Sequence, residues 1–306
     1  ATGDRFLAVI DECHDASSYF SAEPQVWKLY VLASNLSTGR HNLTLWKLSE
    51  DMVGKGLQGT ARFAGFELPF GASLLSPAQA GSRRLEFWGD SDTAGWCADG
   101  LPHGEINQTR FENVYVSWAG QLSRELGAAF VTEAVSGVGL TADSPYGAMR
   151  WFLDNTCPFD GKASWNYKLW SPDAIVIWLG LNDGNSSRSS AFAEAYRQLL
   201  EHAASKYSFA AIPPKILNVC GQAFGADPCQ NIKRVSAEFN QGRKDGFRSY
   251  YVALDQNGFD MLNRDEVRYH GCDGHYNSRG HRLLMQDLLP KVQRSLEWPS
   301  DGQLLV

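Results

Sequence analysis

No apolar stretch in this chain is long enough to cross a bilayer. The longest, Ala174 to Leu181, falls far short of the roughly 20 residues a spanning helix needs, so no membrane partner is expected. There is no run of Lys or Arg either, and 28 Lys+Arg against 34 Asp+Glu leave a formal charge of −6. Neutralising phosphates needs clustered positive charge, so the composition excludes a general nucleic-acid partner. None of the six cysteines (Cys13, Cys97, Cys157, Cys220, Cys229, Cys272) stands in a CxxC pair, which leaves zinc knuckles and thioredoxin-like motifs without support. Internal repeats and low-complexity tracts are absent. The opening residues, ATGDRF, include no Met and no charged segment leading into an apolar signal core. A targeting segment is expected to have been removed, or the sequence to begin inside a longer precursor.

What is present is material for a large core. Of 306 residues, 43% are hydrophobic, with sixteen Phe, eleven Tyr and ten Trp. Disorder is excluded by that composition. At roughly 150 residues per domain the length corresponds to about two domains. An even cysteine count and N-x-S/T sites at Asn35, Asn42, Asn107 and Asn185 fit a secreted, disulfide-bonded glycoprotein. Cys220 and Cys229 flank a turn-rich GQAFGADP stretch and are the expected pair. Cys97 and Cys157 are expected to tie together two loops of the second region.

Two regions read differently. Residues 1–80 show a short, β-like rhythm: Phe6 to Ile10, Val26 to Ser34, His41 to Leu48 and Thr60 to Leu68. Asn35 to Gly39 has hairpin length, which predicts that the second and third of these runs pair. A small antiparallel sandwich follows. Residues 81–306 alternate strand, loop and helix. Leu85 to Trp88, Ala128 to Ala134, Ala174 to Leu179, Lys215 to Val219 and Ser249 to Ala253 are compact apolar runs. Val114, Trp118, Leu122 and Leu126 form a helical stripe between them, as do Phe192, Tyr196, Leu199, Leu200 and Ala203, and Ile232, Val235 and Phe239. Such alternation predicts a parallel sheet with helices on both faces, whose ligands bind outside the carboxyl ends of the strands. Gly71 to Ser82 is the expected link between the regions.

The strand ends hold the chemistry. Gly89-Asp90-Ser91 follows the first α/β strand, Gly180-Leu181-Asn182-Asp183 the third, and Cys272-Asp273-Gly274-His275 the last. A hydroxyl, an amide donor and an imidazole with a nearby carboxylate thus converge on one sheet edge. Acyl transfer needs those parts: a nucleophile, a base to take its proton, and donors for the oxyanion.

With Gly137 in Ser136-Gly137-Val138-Gly139, these blocks resemble those of the SGNH (GDSL-type) hydrolases, in order from Leu85 to about Leu296. The resemblance implies a three-layer α/β/α domain in which Ser91 is the nucleophile and His275 the general base. It also implies an oxyanion hole made by the backbone N–H groups of Ser91 and Gly137 and the Asn182 side chain. Leu36 to His41, Lys47 to Glu50 and Phe63 to Phe66 resemble carbohydrate esterase family two, where a β jelly roll precedes the SGNH domain. That likeness implies deacetylation of an acetylated polysaccharide or oligosaccharide without metal or organic cofactor. It further implies that eighty residues are too few for the jelly roll, the upstream strands having been cleaved away or residing in an associated N-terminal fragment.

The common fourth block is Asp-x-x-His, which would place an Asp where this chain has Cys272. The carboxylate here is Asp273, so the histidine is oriented either by that side chain or, in a Ser–His dyad, by a backbone carbonyl. Tyr276 stands where the family has Pro and is expected to reshape the pocket rim. Trp96, after the nucleophile, is a candidate for stacking on sugar, whereas Trp178 reads as core. His270, His275 and His281 lack zincin spacing, and His281 reads as a packed helix residue. Gly137 to Ala142 fits GxGxxA, but the first strand, where a dinucleotide fingerprint belongs, holds GDS. Asp183 reads as a loop fastener. Two rivals use the same residues: a lipase or thioesterase, and a carbohydrate-binding protein with an inert SGNH domain.

Overall fold

The computed structural model describes residues 3–23, 26–50, 61–76, 82–156, 164–221, 226–255, 260 and 262–298. Eight strands are formed among these: β1 (Arg5–Ile10), β2 (Tyr19–Ser21), β3 (Leu43–Lys47), β4 (Arg84–Gly89), β5 (Ala129–Ala134), β6 (Ala174–Trp178), β7 (Lys215–Cys220) and β8 (Arg248–Ala253). The last five make a parallel sheet in the order β5-β4-β6-β7-β8, as the apolar runs predict. The central strand β6, AIVIW, reads as an unbroken apolar stretch because both of its faces are covered. In β6, Ala174, Val176 and Trp178 join one core and Ile175 and Ile177 the other.

Helices α1 (Ser91–Ala94), α2 (Trp118–Glu125), α3 (Ser190–Lys206), α4 (Ala226–Phe239) and α5 (Ser278–Leu296) connect or flank the strands. Trp118 and Leu122 of α2 and Leu284, Leu288 and Val292 of α5 cover the first face. Phe192, Tyr196, Leu199 and Leu200 of α3, with Ile232 and Val235 of α4, cover the second. The helical stripes read from the sequence are therefore the buried faces. Chain order reverses on either side of β4, so the loops after β4 and β6 diverge at a topological switch point, where such sheets take their ligands.

The first region differs from expectation. Its described strands form one antiparallel sheet, β2-β1-β3. Residues 26–34 join no ladder, and neither do 61–68; Thr60 lies outside the described residues. The expected hairpin across Asn35 to Gly39 is replaced by a non-local pairing of β3 with β1, in register from Phe6 against Lys47 to Ile10 against Leu43. Burial decides this. Leu7, Val9 and Leu48 make a small core, and Trp46 stacks on Phe130 at 5.2 Å, whereas Val26, Trp27, Leu29 and Val31 stay exposed. The sheet is anchored to the α/β layer by the Arg5–Asp99 ion pair at 2.6 Å and the Val114 N–H bond to the Leu48 carbonyl. The expected link, Gly71 to Ser82, falls partly outside the described residues.

Among the described residues there are two disulfides. Cys220 pairs with Cys229 as expected. Cys97 pairs with Cys272, which corrects the expected bond to Cys157, a residue outside the described set. The loops after β4 and before α5 lie side by side, with the Ser278 N–H bonded to the Ala98 carbonyl, and this brings the two Cα atoms to 5.1 Å. Cys13 is a free, exposed thiol.

Candidate active site

Ser91 opens α1 directly after β4. Asp90 is the N-cap, its carboxylate accepting the Asp92 N–H at 3.2 Å, and Gly95 ends the helix in the left-handed region. A first-turn N–H has no helical carbonyl to bond, so the Ser91 amide stays available. The Ser91 hydroxyl lies 2.8 Å from Nε2 of His275. Nδ1 of His275 lies 2.9 Å from the backbone carbonyl of Asp273. A carbonyl only accepts, so Nδ1 carries the hydrogen and Nε2 is free to accept from Ser91.

The Asp273 carboxylate does not touch the imidazole ring nitrogens; it accepts the indole N–H of Trp96 at 3.2 Å. Of the two orientations left open by the sequence, the structure has the backbone carbonyl. The cause is local: Asp273 at φ +55° and Gly274 at φ +71° form a left-handed turn, closed by the His275 N–H on the Cys272 carbonyl at 3.1 Å. That turn aims the carbonyl inward and the carboxylate sideways.

Asn182 follows β6, and its side-chain amide is held by Oδ2 of Asp90 at 3.2 Å and the Val138 carbonyl at 2.9 Å. Gly137 adopts φ +79°, and a Cβ there would come within 2.3 Å of the Tyr146 ring, so only glycine fits. Asp183 fastens the same loop, accepting from the Leu140 and Thr141 N–H groups and the Thr141 and Ser144 hydroxyls. Those amides are thereby unavailable to a phosphate, and residues 137–142 start no helix, so the dinucleotide reading loses its geometry. Trp178 is buried at 5.2 Å from Trp118. Trp96 is half-buried, its ring 6.4 Å from that of His275.

Titratable groups beside the catalytic candidates are buried, which disfavours their charged forms. Burial pushes the Asp90 carboxyl well up, with the negative charges of Asp92 and Asp183 adding to the effect. Burial also raises Asp92, against the pull of His275 and His270. His281, wholly buried on α5, is pushed down to about 3 by burial and then by His275. Among the described residues, no cluster of His, Cys, Asp and Glu could hold a metal ion.

Sequence reasoning missed Glu50. Its carboxylate accepts the Ser136 N–H at 2.6 Å, one residue before Gly137, while its own N–H reaches Glu112 at 2.9 Å. The first region thus braces the loop after β5. Glu50 closes the Lys47 to Glu50 block noted in the sequence, but that block carried no role for it, because the partners are 86 positions apart and the bond uses a backbone amide.

The profile of the GDSL-like lipase/acylhydrolase family matches residues 87–283, from β4 into α5. The chain belongs to that family. The cellulase/esterase CelE of Acetivibrio thermocellus is 28% identical over 277 residues, which cover 87% of this chain and 31% of that protein. This GDSL-like chain therefore spans about a third of the length of that curated relative. A family two carbohydrate esterase from Clostridium thermocellum, solved in complex with cellohexaose, superposes with a TM-score of 0.78 at 24% identity, over 97% of this chain and 88% of that one. A family two carbohydrate esterase from Cellvibrio japonicus gives 0.72 at 18% identity, over 97% and 83%. The resemblance read from the motifs is borne out, and so is the layered α/β fold it implied for the second region; the described strands of the first region form a three-stranded sheet and not a full jelly roll.

Proposed function

We propose that this GDSL-like hydrolase is a secreted carbohydrate esterase that removes acetyl groups by a two-step acyl transfer. The observation that carries the reading is the line from the Asp273 carbonyl through the His275 imidazole to the Ser91 hydroxyl, at 2.9 and 2.8 Å. His275 Nε2 takes the Ser91 proton as Oγ attacks the acetyl carbonyl. The Ser91 and Gly137 N–H groups and the Asn182 amide donate to the developing oxyanion, the amide exchanging one of its present acceptors for it. Nε2 then returns its proton to the departing sugar oxygen, and water hydrolyses the acetyl-enzyme by the same steps in reverse.

The carbohydrate is supported by the names of similar proteins. The two structures above are carbohydrate esterases, and an acetyl xylan esterase from the rumen bacterium Butyrivibrio proteoclasticus superposes with a TM-score of 0.72 at 14% identity. Secretion is supported by the two disulfides, which persist in oxidising compartments.

The test is hydrolysis of acetylated xylan and of chromogenic esters of increasing chain length. Acetyl esters are expected to turn over fastest, and Ser91→Ala to abolish turnover and phosphonate labelling while circular dichroism stays unchanged. Faster hydrolysis of long-chain esters would favour a lipase, and failure of the wild-type protein to take a phosphonate label would leave a binding protein.

A further inference from the structure

We propose that the Cys97–Cys272 disulfide is the positioning device of the Ser91–His275 pair, holding the imidazole in register with the hydroxyl in place of a side-chain carboxylate. This rests on the acyl-transfer reading of the site.

His275 receives its orientation from a main-chain carbonyl, which is only as well placed as the turn that bears it. That turn begins at Cys272, one residue before the carbonyl and three before the imidazole. It contains two residues with positive φ, Asp273 and Gly274, and is closed by the His275 N–H on the Cys272 carbonyl at 3.1 Å and the Gly271 N–H on the His275 carbonyl at 2.8 Å, both of which run within the segment itself. Left to itself, such a segment has many alternatives. Cys272, wholly buried, pins its first residue.

The other end of the crosslink is equally close to the nucleophile. Cys97 lies in the loop that leaves α1, six residues after Ser91. The Gly95 and Trp96 N–H groups both return to the Ser91 carbonyl, at 3.0 and 2.9 Å, so Cys97 is bound to the serine through a short, hydrogen-bonded path. The S–S bond therefore joins the two halves of the catalytic pair over a separation of 175 residues. The surroundings are shaped for it. A Cβ on Gly271 would stand 2.0 Å from the Cys97 carbonyl oxygen, and one on Gly100 would stand 2.7 Å from Cys272 Sγ. The second disulfide offers a contrast: Cys220 and Cys229 are nine residues apart and clip the end of β7 to α4, so that bridge includes neither the turn that bears His275 nor the loop that follows Ser91.

The experiment compares Cys97→Ala/Cys272→Ala with Cys220→Ala/Cys229→Ala. The first is expected to lower kcat on an acetyl ester by about tenfold to a hundredfold, the cost of misplacing reacting groups by about an ångström, with KM within about twofold. The second is expected to lower Tm but leave kcat within about twofold of wild type. A readout independent of turnover is the imidazole Nδ1–H resonance of His275, present in the wild type and lost in the first variant. Should that variant not fold, dithiothreitol reduction of the Cys220→Ala/Cys229→Ala protein replaces it, with alkylation of one aliquot mapped to Cys97 and Cys272; reoxidation of an aliquot that was not alkylated should then restore kcat. Unchanged kcat and an unchanged resonance, in the folded variant or the reduced protein, would overturn the proposal. An inactive, unlabelled wild type would instead overturn the esterase reading.

Discussion

At the scale of single residues, the division of labour inside Asp273 matters most. Its carbonyl holds Nδ1 of His275, while its carboxylate holds the Trp96 indole. Asparagine tolerates the left-handed backbone at φ +55° and keeps a side-chain oxygen for the indole. Asp273→Asn should therefore lower kcat by only a few-fold, read from steady-state kinetics on an acetyl ester. A loss of several hundredfold would mean that the carboxylate charge itself assists the imidazole. Ser91, Asn182 and His275 were legible because each sits in a short string of fixed residue types at a strand end. Glu50 and the partner of Cys97 were not, because their contacts depend on which loops the sheet brings together.

Among the elements, α5 shows how a cap can serve a site. Asn277 accepts the Arg279 and Gly280 N–H groups at 2.9 and 3.1 Å, capping the helix, and donates to the Arg268 and His270 carbonyls. One side chain thus joins the helix start to the segment leading into the His275 turn. Asn277→Ala should cost about 1–2 kcal/mol from the cap, seen as a lower urea midpoint. The five parallel strands were readable because burial on both faces makes each a compact apolar run. The hairpin expected from Val26 to Leu48 was misread for a related reason. Local turn chemistry permits it, but Leu45 and Trp46 gain more by joining β1 and the aromatic rings of Tyr115 and Phe130 than by pairing with a neighbour in sequence.

For the molecule as a whole, His281 and Glu133 contribute opposing pH trends, Asp90 and Asp92 acting in the same direction as Glu133. His281 has its pKa pushed down to about 3 against an ordinary 6.5, and its ring nitrogens meet no hydrogen-bond partner among the described residues. The unfolded chain takes up a proton on this residue that the folded chain refuses, so stability falls as pH drops from 6.5 toward 3. At pH 5 the loss is about 2 kcal/mol. His281→Leu should remove that slope, measured as urea midpoints at pH 7.5 and pH 5. Glu133 acts the other way: burial, then the charge of Glu86, pushes it up to about 8 from 4.5. Here the folded chain keeps a proton that the unfolded chain releases, so stability falls as pH rises from 4.5 toward 8 and then levels off. Glu133→Gln should flatten this decline in Tm between pH 5 and pH 8.5.

The sequence by itself determined the parallel sheet, the faces its helices bury and the residue types gathered at its carboxyl edge. Hydrophobic period and motif spacing are local properties of a chain, and burial on a sheet obeys them. Only the tertiary structure decided which oxygen of Asp273 meets the imidazole, which cysteine clamps the loop beside Ser91, and that Glu50 braces the loop at Gly137. Those are choices among near-equivalent partners, and they are made by distances of a few ångströms between segments that the chain order keeps far apart.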